Sequence, residues 1–188
     1  MSDSAAVFWR TFEEKAGHIR KLILSGKHRE AFNMVEHLLA DHGYDFSFDL
    51  TEQDGLTVMI LSPEGDRSEA ARIDSLIASK PPMPKWIVYG RRQRKPLEDV
   101  YAIIRHIYDL DVEDAKFVTE DAPGGLNIMM YSKAFVGLND EESKGLVATC
   151  LDHALGEDFV MSQIGGMRGS PAGNSSGMSA RELIDSLL

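Results

Sequence analysis

Apolar positions recur along this chain with two periods, and the switches between them mark out its elements. Phe8, Phe12, Ala16, Ile19 and Ile23 fall at helical spacing and predict a helix over 4–25, stopped by Gly26. Ala31, Met34, Val35, Leu38 and Leu39 predict a second helix over 28–42, closed by Gly43. The short link between them favours an antiparallel hairpin. From Tyr44 the period falls to two: Phe46, Phe48 and Leu50 alternate with Asp45, Ser47 and Asp49, the pattern of a half-buried strand. A turn ending at Gly55 leads into a second strand over 56–61. Asp66 and Glu69 form a capping box for a helix over 67–79. Pro81, Pro82 and Pro84 then forbid helix and lead into the strand Trp86–Tyr89.

The order strand, strand, helix, strand then returns. A linker helix over 97–108 carries a stripe of Val100, Ile103, Ile104 and Ile107. It is followed by strands at Lys116–Thr119 and 126–131, separated by a turn at Pro123. Asn139 and Glu142 cap a helix bearing Val147, Cys150, Leu151, Ala154 and Leu155, which ends at Gly156. Phe159–Ile164 is read as the closing strand. The segments Gly55–Ser62 and Gly125–Ser132 share Gly, Leu, Met and Ser at matching places, and Ile73, Asp74 and Ile77 align with Leu151, Asp152 and Leu155. The expected fold is therefore α+β: a helical hairpin, two pseudo-repeated strand-strand-helix-strand units joined by a linker helix, and a short C-terminal helix. Residues 1–167 are taken as one domain, with the hairpin at 1–43 and the units at 44–92 and 115–167.

Residues 168–178 are rich in Gly and Ser and read as a flexible linker. Ser179 and Glu182 then cap a short amphipathic helix over 179–188 whose apolar residues are Leu183, Ile184, Leu187 and Leu188. A helix of this length is marginal alone in water and must dock to persist. Those four residues are accordingly a candidate partner-docking tail, with the choice between docking on its own body and docking on another molecule left open.

Composition narrows the functional classes. The chain has 188 residues, a formal charge of -10 and one cysteine. Such a charge disfavours nucleic-acid backbones and anionic membranes and fits a basic protein partner. One cysteine excludes an internal disulfide and suits a reducing compartment. The start of the chain shows no basic stretch followed by an apolar core, and no apolar run is long enough to span a bilayer. The expected location is the cytoplasm.

Candidate chemistry centres on Arg91, Arg92, Arg94 and Lys95, which follow Trp86 and Tyr89. Planar guanidinium groups could clamp an anion, and Glu157 could join them; the plainer reading is a solvated strand end. Trp86, Arg91, Arg92, Arg94 and Glu157 are thus the candidate ligand or partner site. Asp109, Asp111, Glu113 and Asp114 lack the spacing of an EF-hand, and the six histidines lack that of a zinc site, so no metal and no cofactor is expected. Cys150 falls on the buried stripe, where a thiol is inert, and a Cys150–His153 pair has no oxyanion hole in view. Gly165–Ser170 is like a phosphate loop in composition alone. Trp9 is expected to be the exposed partner of a buried Phe8.

Three segments, Phe8-Trp9, the strand from Trp86 through Arg92, and Leu151-Asp-His-Ala-Leu-Gly-Glu157, resemble a family of bacterial cytosolic hypothetical proteins over roughly residues 8–167. The last is the most specific of the three. The resemblance implies a cytosolic α+β protein and brings no activity and no catalytic residues. The expected function is a non-catalytic protein-binding, regulatory or immunity-like domain, with another protein as partner and a homodimer as one form of it. The alternative is a small-ligand binder or small enzyme holding an anionic group at Arg91–Lys95.

Overall fold

The structure is a computed structural model that describes residues 2–171 and 176–188. The fold is α+β, with two three-stranded sheets and, among the described residues, seven α-helices. The chain divides into two compact units, Met1–Arg91 and Arg92–Leu188.

Unit 1 begins with the helical pair α1 (Ser2–Leu24) and α2 (His28–Asp41). Strands β1 (Ser47–Gln53) and β2 (Leu56–Ser62) form an antiparallel hairpin, and helix α3 (Arg67–Ala78) crosses over to β3 (Trp86–Tyr89), which pairs parallel to β2. Asp66 caps α3, accepting from the backbone N–H groups of Ser68 and Glu69. Met59 and Leu61 point to the helical side of the sheet, where Phe8, Phe12, Val35, Ile73 and Trp86 complete the core. Val58 and Ile60, on the opposite face, are also buried. Burial on both faces is why β2 reads as an unbroken apolar run instead of an alternation.

Trp9 is not the exposed anchor expected of it. It is 1% exposed, and its indole N–H donates to the carbonyl of Leu76 at 2.7 Å. Helix α1 packs on α2 along one side and meets α3 along another, so one buried stripe was too few to expect. Its buried edge is aromatic, with Phe12 set edge-on to Trp86 at 5.0 Å.

Unit 2 opens with the segment from Arg92 and helix α4 (Leu97–Tyr108). Of the expected stripe on α4, Val100 and Ile104 are buried, whereas Ile107 is 57% exposed. Strands β4 (Lys116–Ala122) and β5 (Gly125–Tyr131) form the second hairpin, and a short 3₁₀ turn (Lys133–Phe135) leads to helix α5 (Asp140–Leu155). Asn139 and Glu142 form the expected capping box on α5. Its last six residues, Cys150 to Leu155, are all buried, so this end of the helix is enclosed on every side.

Just beyond α5 the chain departs from the expected strand. Phe159–Ile164 is not a strand: helix α6 (Glu157–Gln163) occupies it, and the closing strand is β6 (Ile164–Ser170), parallel to β5. The start of the expected linker at 168 is therefore strand, and its residues 172–175 lie outside the described residues. The glycines of β6 serve close packing. A Cβ at Gly165 would lie 2.9 Å from the backbone of Gly124, and one at Gly169 would overlap the ring of Phe135. Glycine here marks a tight strand, not a linker. Helix α7 (Ala180–Leu187), with its capping box from Ser179 and Glu182, closes the unit.

The two sheets share one topology, an antiparallel hairpin followed by a parallel third strand. The sequence match between the twin segments does not follow it. The first hairpin turns between Gln53 and Leu56, the second between Ala122 and Gly125. The structural counterpart of Gly125 is thus Leu56, one residue beyond Gly55. A slip of one residue exchanges the faces of a strand. Met59 lies in the core of unit 1, while Met129, its match by sequence, lies on the face opposite Ile128 and Met130.

Candidate functional site

The five candidate ligand residues divide between the units. In unit 1, Trp86 is 6% exposed and belongs to the core. Arg91 follows it at the end of β3, where its side chain turns back onto α3. Its guanidinium lies 3.1 Å from Asp74 and also donates to the carbonyls of Gly90 and Ala70. The arginine is almost wholly buried.

In unit 2, Arg92 meets the start of α6 in a reciprocal clasp. The N–H of Glu157 donates to the carbonyl of Arg92 at 3.0 Å, and the Glu157 carboxylate accepts from the N–H of Arg92 at 2.9 Å. The Arg92 guanidinium stands 3.8 Å from Asp152 and 4.0 Å from Glu157. Three residues on, the N–H of Lys95 donates to the carbonyl of His153 at 2.8 Å. Glu157 is 1% exposed, a burial that a carboxylate tolerates only with charged and hydrogen-bonding partners.

This geometry gives the segment Leu151–Glu157 a shared structural part. Leu151, Ala154 and Leu155 fill the core, Asp152 faces the arginine, and His153 lends its carbonyl. Gly156 has φ of +90° and ψ of 137°, a backbone closed to side chains with a Cβ, and there the chain turns from α5 into α6. Glu157 holds the neighbouring chain. The segment Leu151–Glu157 thus fastens the segment 92–95 to the α5–α6 corner.

Arg94 is exposed and joins neither cluster. The structure brings together Arg92 and Glu157 of the candidate set, and adds Asp152 and His153. Asp74 and Asp152, the counterparts of Arg91 and Arg92, were missed as partners. The signal was present in the matching Ile-Asp and Leu-Asp pairs at Ile73-Asp74 and Leu151-Asp152, which put one carboxylate on each crossover helix.

The remaining candidates resolve plainly. Burial pushes the Cys150 thiol up to about 12, which leaves it a thiol at neutral pH and removes it as a nucleophile. In the acidic loop, Arg105 pairs with Asp111 and Glu113, and Lys133 lies 3.8 Å from Asp114. Among the described residues no group of three or more His, Cys, Asp or Glu side chains is placed to hold a metal ion. None of the described helices is long and apolar enough to cross a membrane. In the tail, Leu183 and Ile184 are buried in the core of unit 2, Leu187 is half-buried against it, and Leu188 is exposed.

No family model, curated protein or solved structure matches this chain.

Proposed function

We propose that this protein is a non-catalytic binding domain, regulatory or immunity-like in character, that captures a basic protein partner. The observation that carries the reading is the engagement of the arginines. Arg91 is directed at Asp74 and Arg92 at Asp152 and Glu157, so the groups best suited to clamp a small anion are already paired inside their units. That weakens the small-ligand and small-enzyme alternative, which keeps only the exposed Arg94 and the half-buried Lys95. The distribution of charge supports a basic partner: residues 92–188 hold 16 Asp and Glu against nine Lys and Arg. Glu120, Asp121, Asp140 and Glu141 are exposed among them. Such a surface steers and holds a cationic protein. We further read the shared sheet topology as the trace of one unit used twice, with the excess of acid acquired in the second.

The test is capture from cytosol on immobilised full-length protein at low ionic strength, followed by a salt gradient. The expected result is a Lys- and Arg-rich protein released between about 0.1 and 0.5 M salt, where surface electrostatics are largely screened. A partner that stays bound through that range, or no retained protein at all, rejects the reading.

A further inference from the structure

Unit 2 holds, at its C-terminus, a segment with the anatomy of a docked peptide. The chain reaches the outer edge of β4 at Met178, where Phe117 and Met178 exchange both main-chain hydrogen bonds, at 2.7 and 2.8 Å. Among the described residues this is the single bridge on that edge, one rung of antiparallel strand addition. The approach is close. A Cβ at Gly177 would lie 3.0 Å from the Cβ of Lys116 and 3.1 Å from the carbonyl oxygen of Phe117.

Helix α7 begins immediately after the rung and brings its own cap. The Ser179 hydroxyl accepts from the N–H of Glu182, and the Glu182 carboxylate accepts from the N–H of Ser179 at 2.7 Å. Ala180, Leu183 and Ile184 enter the core of unit 2, while the polar residues between them face outward. Strand addition to a sheet edge and an amphipathic helix laid into an apolar groove are two recurring modes of peptide recognition. Residues 177–187 combine them, and they contain every group that the docked segment uses.

We propose that the seat of α7 is a peptide-binding groove, filled here by residues 177–187 and able to accept the same segment of a second copy. A helix this short does not persist undocked, so the segment is ordered only in such a seat. Exchange between copies preserves every contact. The tether gives the chain's own tail an effective concentration of about 1 mM, so exchange becomes visible when that tail is disabled. This goes beyond capture of a basic partner and is independent of it: the groove is apolar and its ligand is acidic at Glu182 and Asp185.

The experiment uses full-length Leu183→Asp protein, whose seat is complete but whose own tail cannot enter it, and a fluorescent peptide of residues 176–188. Saturable binding to the variant is expected, with binding to the unaltered protein weaker by about 100-fold from competition by the tethered tail. A peptide carrying the same Leu183→Asp change should not bind. Full-length Met178→Pro, which loses one hydrogen bond of the rung and puts no charge in the core, serves as a second disabled chain. If both variants unfold cooperatively like the parent yet bind no peptide, the proposal is overturned. It is equally overturned if neither variant retains a cooperative fold, because α7 is then a fixed part of the core. Loss of the basic partner with peptide binding intact would reject the proposed function and leave this groove standing.

Discussion

Arg91 and Arg92 are neighbours in sequence with opposite fates, and the difference is local physics. Arg91 lies two residues beyond β3 and turns to Asp74 on α3, whereas Arg92 lies against the α5–α6 corner and its carboxylates. Replacing Glu157 by Ala removes the acceptor of the Arg92 N–H and a charge partner of its guanidinium within a buried site. The expected cost is about 2–4 kcal/mol in a urea denaturation series, with Glu157→Gln, which keeps an acceptor, costing less. Arg94→Ala, at an exposed position, should stay within about 0.5 kcal/mol. Thr57 is the opposite case. Its hydroxyl is fully buried and has no hydrogen-bond partner among the described residues. Thr57→Val keeps the shape and removes that hydroxyl, and should raise stability by about 1 kcal/mol, read as a shift in urea midpoint at constant slope. A decrease would mean that the hydroxyl is satisfied in solution.

At the scale of elements, the helices and hairpins were legible because their signals are local. Caps at Asp66, Asn139 and Ser179 and the periods of two and 3.6 all act within a few residues. Strand β6 was not legible, because glycine in a sequence signals freedom, while here it answers distant neighbours at Gly124 and Phe135. Gly169→Ala should therefore destabilise by about 1–3 kcal/mol, the cost of overpacking, where a linker residue would tolerate it. Two of the caps also predict a response to acid. Hydrogen bonds from Ser68 hold Asp66, and hydrogen bonds from Ser179 hold Glu182, below their ordinary values of 3.8 and 4.5. A carboxylate lowered in the folded state contributes stability above its unfolded value and loses it as pH falls through the folded one. Far-UV circular dichroism should show α3 and α7 weakening as pH drops below about 4, with the Glu182→Gln protein lacking the α7 part of that change. An identical acid profile in the variant would remove the role given to this cap.

At the scale of the molecule, amphipathic patterns show that a residue is buried and not which of the two cores receives it. The same blindness hid the arginine partners, which lie 17 and 60 residues away in sequence at Asp74 and Asp152. The two clusters have no residue in common, and each contains its own spectroscopic or chemical reporter. Both tryptophans, Trp9 and Trp86, are buried in unit 1, and the single thiol, Cys150, is buried in unit 2. Trp9 senses the opening of its core through its ring contacts with Phe8 and Phe12 and its hydrogen bond to Leu76. Cys150 is protected from thiol reagents by burial and, with its pKa raised to about 12, by the absence of thiolate. Phe12→Ala creates a cavity in the first core and Leu151→Ala one in the second, each costing about 2–5 kcal/mol. The first substitution should shift the tryptophan transition in urea to lower concentration and leave the rate of Cys150 labelling in native buffer near that of the parent. The second should accelerate labelling several-fold or more while the tryptophan midpoint moves little. Equal displacement of both signals by either substitution would show that the cores open as one cooperative block.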